Sequence, residues 1–225
     1  MSRPLYSSFA WAYDLVVPKP GGPPPAEVAR LLAGRKRIVD AGCGSGRHAA
    51  ALAEAGFEVV GVDSSPELLE VARERAPGVR FELGDVRTWQ PEAPMDGALC
   101  RGVLNDLTDD AGRQGALDNL ARMLRPGGLL VADVRELPGT RARYKREPVV
   151  TRSAEGVFFR SETKLVGDLM VVEETISSDD ARARFEFRMR PWTLAELDER
   201  LAAAGFGRIE RRLEGDRIVA AATVG

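Results

Sequence analysis

The stretch Asp40–His48 reads DAGCGSGRH and places three glycines at every second position, directly after the apolar pair Ile38-Val39. Glycines in a tight turn remove the side chains that would keep a ligand away from the backbone. Such a turn between a strand and a helix is typical of a site for a nucleotide-like ligand. The spacing of the glycines decides which ligands the turn suits.

Gly42, Gly44 and Gly46 follow the spacing G-x-G-x-G, which differs from two common phosphate-binding patterns. No GK[ST] follows the glycines, so nothing would engage the β- and γ-phosphates of a nucleoside triphosphate. In the dinucleotide pattern G-x-G-x-x-G the third glycine would stand at residue 47, which is Arg47. The spacing therefore disfavours a P-loop enzyme and a dehydrogenase.

Carboxylates accompany the turn at the ends of three predicted strands. Asp40 opens the turn and can accept hydrogen bonds from loop amides or lie near an amine or a sulfonium. Asp63 ends the second strand, where a carboxylate can accept both hydroxyls of a ribose. Asp85 ends the third strand and can accept from the exocyclic amine of an adenine. Three carboxylates around one site favour a cationic ligand and repel a pyrophosphate.

Alternating strands and helices position these residues. The sequence predicts strands at 37–41, 57–62, 79–83, 95–101 and 129–134, with helices at 47–55, 65–75 and 109–124 between them. This alternation predicts an α/β fold with a doubly wound, mostly parallel sheet covered on both faces. Ligands bind such a sheet at the carboxyl ends of its strands.

The pattern changes after the fifth strand. We expect antiparallel strands from about 149 to 189, with a hairpin through Gly167-Asp168 and a strand that places Phe185, Phe187 and Met189 on one face. A last helix from Thr193 to Gly205 and a hairpin at 208–224 complete the chain. The extra strands form a small antiparallel β insert.

Composition limits the classes of function. The 225 residues carry a formal net charge of −2, with 44% hydrophobic and 29% charged residues, as in a soluble globular domain. This balance argues against broad electrostatic binding to nucleic acid or an anionic membrane. Cys43 and Cys100 lack the spacing of a zinc site, so we expect reduced thiols, no metal and a cytoplasmic location. We expect a monomer or a homodimer.

Taken together, these features resemble the class I S-adenosylmethionine-dependent methyltransferases. The resemblance extends from about residue 28 to residue 224 and rests on Val39–Gly46, Gly61–Ser65, Gly84-Asp85 and Leu124–Leu129. It implies a Rossmann-like sheet of seven strands with the terminal hairpin at its edge. It also implies methyl transfer from S-adenosyl-L-methionine to a nitrogen or oxygen of a small-molecule acceptor, with S-adenosyl-L-homocysteine as product.

The resemblance assigns cofactor contacts residue by residue. The first glycines align with the family's first cofactor motif, the acid after the second strand with its ribose-binding acid, and the stretch after the third strand with its adenine contact. The backbone after the fourth strand approaches the methionine part. The predicted cofactor residues are Asp40, Gly42, Cys43, Gly44, Asp63, Ser64, Asp85, Val86, Arg101 and Gly102.

The stretch Arg101–Asp106 beyond the fourth strand is where an acceptor would bind. Its last two residues can orient or deprotonate an acceptor, or cap the next helix as an ordinary polar loop. His48, the only histidine, falls in the helix after the turn, so we expect a carboxylate or a tyrosine to act as any base. The predicted catalytic residues are Asp106, Asn105 and Tyr13.

Aromatic residues before the core predict either a lid over the cofactor or a helix packed against the sheet. The basic span 135–160 suits an anionic substrate or a solvated loop. We predict residues 1–25 as the lid, 26–136 and 193–225 as the cofactor-binding core, and 137–192 as the insert over the acceptor. The predicted substrate-binding residues are Tyr6, Trp11, Arg160 and Trp192.

Two other functions fit the same residues. The arginine-rich span 135–160 can steer methylation of RNA, in which case binding depends steeply on salt. A protein that binds S-adenosylmethionine without transferring methyl, or breaks it differently, would keep the same turn and acids. These two readings stay open at the level of sequence.

Overall fold

The computed structural model describes residues 3–17 and 22–225, so residues 1–2 and 18–21 of the predicted lid segment 1–25 lie outside the described residues. Residues 3–17, here called the N-terminal segment, form short 3-10 helices at Pro4–Tyr6 and Ala10–Ala12. The α-helices are α1 (Tyr13–Val16), α2 (Pro25–Leu31), α3 (Arg47–Glu54), α4 (Pro66–Arg75), α5 (Asp110–Met123), α6 (Leu137–Arg146) and α7 (Leu194–Ala203).

The strands fall into two sheets. They are β1 (Arg37–Ala41), β2 (Glu58–Asp63), β3 (Arg80–Leu83), β4 (Met95–Arg101), β5 (Leu124–Arg135), β6 (Val149–Ala154), β7 (Val157–Val166), β8 (Leu169–Ser177), β9 (Arg182–Met189), β10 (Phe206–Glu214) and β11 (Arg217–Val224). Across the described residues, one sheet has seven strands in the order β10-β11-β5-β4-β1-β2-β3 and the other has the order β6-β7-β8-β9.

The seven-stranded sheet confirms the predicted fold class. Strands β1 to β5 run parallel to their neighbours, and β11 inserts antiparallel between β5 and β10. Helices α5 and α7 contribute Leu117 and Leu201 to a buried apolar cluster, and α2, α3 and α4 contribute Val28, Leu52 and Leu69 to a second one. All five side chains are completely buried.

Local signals in the sequence set most helix boundaries. Ser65 caps α4 by accepting the N–H of Leu68, and Pro66 occupies the first turn, as the sequence predicts. Asp109 caps α5 in the same way, accepting the N–H of Gly112 at 2.7 Å. These boundaries agree with the predicted ones to within a residue or two.

Two segments differ from the sequence-based expectation. Strand β5 begins at Leu124 rather than Leu129, because Leu124 pairs with Met95 and the Pro-Gly-Gly turn is followed by renewed pairing at Leu129. Helix α6 occupies part of the span 135–160 that was expected to be a loop or strand. Glu136 caps this helix by accepting the N–H of Gly139, and Pro138 lies in its first turn.

The second sheet is antiparallel, as predicted, and packs against the N-terminal segment. The hairpin through Gly167-Asp168 pairs Val166 with Leu169. Leu5, Phe9, Ala12 and Val16 of the N-terminal segment share one apolar cluster with Val157, Phe159 and Ile176 of β7 and β8. This cluster fixes the segment on the sheet independently of any charged contact.

A buried network of charges ties the carboxyl ends of β4 and β5 to β11. Asp133 of β5 is completely buried. Its Oδ2 lies 3.0 Å from Nη2 of Arg101 on β4, and its Oδ1 accepts a hydrogen bond from Nε of Arg217 on β11. Arg217 is 4% exposed, so solvent does little to replace these contacts.

We predict that Asp133→Asn lowers the free energy of unfolding by about 3–5 kcal/mol, because it leaves two buried guanidinium groups without their shared counter-charge. Urea unfolding, followed by circular dichroism, measures the change through the midpoint at constant slope. Asp168→Asn is the matched control, since Asp168 pairs with Arg141 at the surface. Losses of similar size in the two variants would contradict a special role for Asp133.

Candidate active site

The turn after β1 has left-handed backbone conformations that favour glycine. Gly42, Gly44 and Gly46 have φ angles of 79°, 54° and 75°. A Cβ on Gly42 would lie 1.9 Å from Cγ2 of Val103, and one on Gly46 would lie 2.9 Å from Cβ of Ala72. A Cβ on Gly44 would meet nothing within 4 Å, so the middle of the turn faces open space.

Asp63 joins the end of β2 to this turn. Its carboxylate accepts the backbone N–H of Gly44 at 2.8 Å and that of Ser65 at 2.9 Å. Burial raises the pKa of Asp63, and these backbone donors oppose the rise. Each carboxylate oxygen has a further lone pair. Asp63 can therefore shape the turn and still accept hydrogen bonds from a ribose that lies against Gly44.

Asp40 presents a buried oxygen without a partner. The residue is 3% exposed, and among the described residues nothing donates a hydrogen bond to its Oδ2. Burial raises the pKa of Asp40 to about 7, while the charge of Arg101 opposes the rise. A buried acceptor of this kind is costly unless a donor reaches it. The ammonium group of an amino-acid moiety supplies such a donor.

The end of β4 closes the other side of the turn. Nη1 of Arg101 lies 2.6 Å from Nε2 of His48. Burial, followed by the charge of Arg101, lowers the pKa of His48 to about 4, so the ring is neutral near pH 7 and is a weak proton acceptor. Gly102 has a φ angle of 77° and open space where a Cβ would stand, which leaves its backbone accessible.

The predicted adenine end is arranged differently from the sequence-based picture. The Asp85 carboxylate accepts hydrogen bonds from Nε of Arg87 at 2.9 Å and from its backbone N–H at 2.8 Å, and the first of these contacts is the main cause of its lowered pKa. An adenine amine at Asp85 would share this carboxylate with Arg87. Val86 is buried, and the side chain of Ser64 is exposed.

The N-terminal segment lies across the glycine turn. Asp14 accepts a hydrogen bond from Oγ of Ser45 at 3.0 Å and pairs with the guanidinium groups of Arg47 and Arg75. Oγ of Ser65 donates to the backbone oxygen of Tyr6. These contacts fix the segment on both loops that flank Asp63, and its role as a lid stays a prediction.

Asp106 lies on the loop between β4 and α5, opposite the N-terminal segment. Its side chain is exposed to solvent, and among the described residues no group donates a hydrogen bond to its carboxylate. Crowding by protein atoms nevertheless raises its pKa to about 6, while the charges of Arg3 and Arg135 oppose the rise. The region around Asp106, Tyr6, Tyr13 and Asp63, whose charges act on one another, is here called the cleft, and the Asp106 carboxylate is its water-accessible acid. Asp106 is thus suited to accept a proton near neutral pH.

Tyr6 and Tyr13 face the same cleft from the N-terminal segment. Their ring centroids are 5.9 Å apart. Burial raises the pKa of both hydroxyls, and the charge of Asp106 adds to the rise. Tyr13 is therefore protonated near pH 7 and suited to donate a hydrogen bond, and its catalytic role stays a prediction.

Four predicted residues do not reach the cleft. Both polar side-chain atoms of Asn105 are hydrogen-bonded to backbone groups: Oδ1 accepts the N–H of Arg135 at 2.8 Å, and Nδ2 donates to the oxygen of Gly102 at 2.9 Å. Trp192 is completely buried beneath the guanidinium of Arg113, and its indole N–H donates to the oxygen of Leu104. The other two residues are Arg160 and Trp11.

Arg160 and Trp11 lie at the surface. Arg160 pairs with Glu162, which lies two residues further along β7 and on the same side of the strand. Phe159 lies on the opposite, buried face. Trp11 is 54% exposed, with its ring centroid 6.4 Å from that of Phe9. Neither side chain is placed to contact a ligand in the cleft.

Sequence reasoning missed two charged residues of the cleft. Arg3 pairs with Glu174 of β8, 171 positions away in the chain, so no local pattern links them. Glu174 did leave a signal, because the alternating face Met170, Val172, Glu174, Ile176 is apolar except at this one position. A carboxylate in a buried apolar row requires a partner.

Within the described residues, no three His, Cys, Asp or Glu side chains are arranged to hold a metal ion. Over the same residues, no helix combines the length and the apolar composition needed to cross a membrane.

Comparison with known proteins identifies the domain. Residues 38–128, which contain the glycine turn, Asp63 and Asp106, match the family model described as "Methyltransferase domain". A solved structure of an amino pentose methyltransferase from Micromonospora echinaspora, with S-adenosylmethionine bound, aligns with a TM-score of 0.71 at 25% identity and covers 100% of this chain and 98% of that one. Residues 38–128 are a methyltransferase domain, and the chain has the fold of the class I S-adenosylmethionine-dependent methyltransferases.

Curated relatives of the methyltransferase domain act on different acceptors. A trans-aconitate 2-methyltransferase of Azoarcus sp. (strain BH72) is 44% identical over 95 residues, which are 41% of this chain and 36% of that protein. The glycine N-methyltransferase of Rattus norvegicus is 28% identical over 214 residues, covering 81% of this chain and 73% of that one. The chain thus spans little more than a third of the first relative's length.

The residues of the methyltransferase domain fit S-adenosylmethionine. Open space above Gly44 and Gly102 admits the ligand to the backbone, and the unpartnered oxygen of Asp40 suits its ammonium group. Asp63 lies where a ribose would meet the turn. Together Asp40 and Asp63 give the cleft negative charge, which favours a ligand that carries a sulfonium.

We predict that the wild-type domain binds S-adenosylhomocysteine with micromolar affinity and does not bind NADH. Asp63→Ala should weaken this binding by about 1–3 kcal/mol, because a charge-assisted hydrogen bond to the ribose is lost. Isothermal titration calorimetry measures both affinities, with Glu92→Ala as a control at an exposed carboxylate. Unchanged affinity in Asp63→Ala would show that the residue only shapes the turn.

Proposed function

We propose that this protein transfers the methyl group of S-adenosylmethionine to a nitrogen or oxygen of a small-molecule acceptor. The observation that carries the proposal is the Asp106 carboxylate. It lies without a hydrogen-bond donor in the described structure, beyond the strand end that neighbours the glycine turn, with a pKa of about 6. A proton acceptor at this place serves an acceptor that gives up a proton.

Bound S-adenosylmethionine would supply a methyl group on a sulfonium, which is already a good leaving group. The protein has to align the acceptor with that methyl and exclude water. Asp40, Asp63 and the backbone at Gly44 would hold the cofactor, whose sulfur would keep the electron pair of the carbon–sulfur bond while the methyl group joined the acceptor's nitrogen or oxygen. The acceptor's proton goes to the Asp106 carboxylate and from there to solvent.

Rigid support for Asp106 favours this role. The completely buried Arg113 donates a hydrogen bond from Nε to the oxygen of Leu107 at 2.9 Å and pairs with Glu196 at 2.8 Å. The N–H of Arg190 donates to the oxygen of Asn105 at 2.8 Å. The loop is therefore held from α5, α7 and the end of the second sheet, which keeps the carboxylate in place.

The enclosure of the cleft supports a small acceptor. The N-terminal segment lies over the glycine turn through Asp14 and over the second sheet through its apolar cluster. Arg135 and Arg143 share Asp216 as their counter-charge, and Arg160 pairs with Glu162. Much of the basic charge of the span 135–160 is thus used within the protein, which lowers its value for binding RNA.

The names of related proteins agree with this proposal. The rat glycine N-methyltransferase acts at nitrogen, the amino pentose methyltransferase acts on an amino pentose, and the trans-aconitate 2-methyltransferase acts on a small organic acid. Their common feature is a small acceptor. A panel of amines, carboxylic acids, phenols and short RNAs, assayed by release of S-adenosylhomocysteine, tests the proposal. Release that requires RNA, or methylthioadenosine formed from the cofactor alone, would contradict it.

We predict that Asp106→Asn lowers kcat by about 100-fold for the best acceptor of this panel, because no carboxylate remains to take the proton. Affinity for S-adenosylhomocysteine should change by less than about twofold, because residues other than Asp106 bind the cofactor. In the wild type, kcat should rise with pH through about 6, since only the ionised carboxylate accepts a proton. The rise should be absent in Asp106→Asn.

Asp180→Asn makes the same chemical change at an exposed position of the turn between β8 and β9 and serves as the control. Equal losses of kcat and of cofactor affinity in Asp106→Asn would remove Asp106 from the catalytic residues. A wild-type kcat that falls as pH rises through 6 would have the same meaning.

A further inference from the structure

The guanidinium of Arg3 fills a slot in the acceptor cleft. Its Cζ lies 4.1 Å from the ring centroid of Phe187 on β9 and 4.7 Å from that of Tyr6. Its Nε donates to Oε2 of Glu174 at 2.7 Å, and Nη2 donates to the other carboxylate oxygen. The slot thus has two aromatic walls and a carboxylate at its base, which are the groups that recognise a cation.

Glu174 is placed in this slot at an energetic cost. It occupies the buried face of β8, between the apolar side chains of Val172 and Ile176, and is 5% exposed. Arg3 is the one cation that pairs with it among residues 3–17 and 22–225. An apolar residue would complete this face of the strand, so the carboxylate has to serve a positively charged group.

The slot adjoins the proposed proton acceptor. The charges of Arg3 and Glu174 both act on Asp106, the first lowering and the second raising the pKa of its carboxyl. The charge of Asp106 in turn acts on Tyr6, a wall of the slot. A positively charged group in the slot therefore lies close to the place where an acceptor would give up its proton.

Arg3 is not needed to hold the N-terminal segment on the second sheet. Leu5, Phe9 and Val16 pack against Val157 and Phe159 in an apolar cluster that does not include Arg3. Asp14 holds the far end of the segment on Ser45. The Arg3 side chain is 15% exposed, so it can turn toward solvent while the segment stays in place.

We infer that the slot formed by Tyr6, Phe187 and Glu174 is the subsite for a cationic group of the methyl acceptor, and that Arg3 fills this subsite until the acceptor arrives. The inference rests on the proposed function and adds the charge class of its substrate. The acceptor is a small molecule that carries an ammonium or guanidinium group. With Arg3 withdrawn, an anionic acceptor would face the carboxylates of both Glu174 and Asp106.

The first experiment tests the slot without any methyl transfer. Ethylguanidinium chloride is titrated into the cofactor-free protein and binding is followed by calorimetry. Arg3→Ala should bind it at least tenfold more tightly than the wild type, and Arg3→Ala combined with Glu174→Gln should lose this gain. Arg184→Ala is the matched control, because Arg184 pairs with Glu173 on the exposed side of the same two strands. Equal affinities in Arg3→Ala and wild type would overturn the inference.

Arg3→Gln repeats the test if Arg3→Ala does not unfold cooperatively, since glutamine still donates a hydrogen bond to Glu174 but carries no charge. A gain in ethylguanidinium binding in this variant supports the inference, and no gain overturns it.

The second experiment asks whether acceptors use the slot. The panel of acceptors is assayed in wild type and Arg3→Ala, grouped as cationic, neutral and anionic compounds. Cationic acceptors should turn over, with a KM at least threefold lower in Arg3→Ala and little change in kcat. Turnover confined to neutral or anionic acceptors would overturn the inference, as would a lower kcat at unchanged KM. Absence of S-adenosylhomocysteine binding would instead overturn the proposed function, while the ethylguanidinium titration still decides the slot.

Discussion

The completely buried carboxylate of Asp133 is the contact on which the arrangement of the cleft depends. It joins Arg101 of β4 to Arg217 of β11, so the parallel core and its antiparallel edge are fixed at the end of the sheet where ligands bind. Arg101 in turn contacts His48 and keeps the charge of Asp40 partly compensated. One group of charges therefore links the side chains at the ends of β1, β4, β5 and β11, which the backbone pairing of the sheet already holds side by side.

Elements with local signals could be predicted from the sequence. The glycine spacing, the cap at Ser65 and the acids after β2 and β3 each follow from residues close together in the chain. Strand β5 and helix α6 were less well predicted. The register of β5 depends on pairing between Leu124 and Met95 of a different strand. The helix cap at Glu136 was missed because the span 135–160 was interpreted through its excess of arginines.

The cleft was predicted in part, for a physical reason. Asp106 was found because the end of a parallel strand is a ligand-binding place whatever the side chains around it. Asn105 was chosen by the same rule, and Trp192 was chosen as part of the insert expected over the acceptor, but the polar atoms of both are taken by backbone groups of neighbouring elements. Arg3 and Glu174 meet only through the tertiary fold, which single-sequence patterns do not reveal.

The N-terminal segment contacts both halves of the cleft, Asp14 at the glycine turn and Arg3 at the second sheet. One piece of chain thus lies against both the turn that would hold the cofactor and the slot proposed for the acceptor. A ligand that changes the contacts of this segment at one place also changes how the segment is held at the other. Such coupling is reciprocal, so the affinity of each place for its ligand would depend on whether the other is filled.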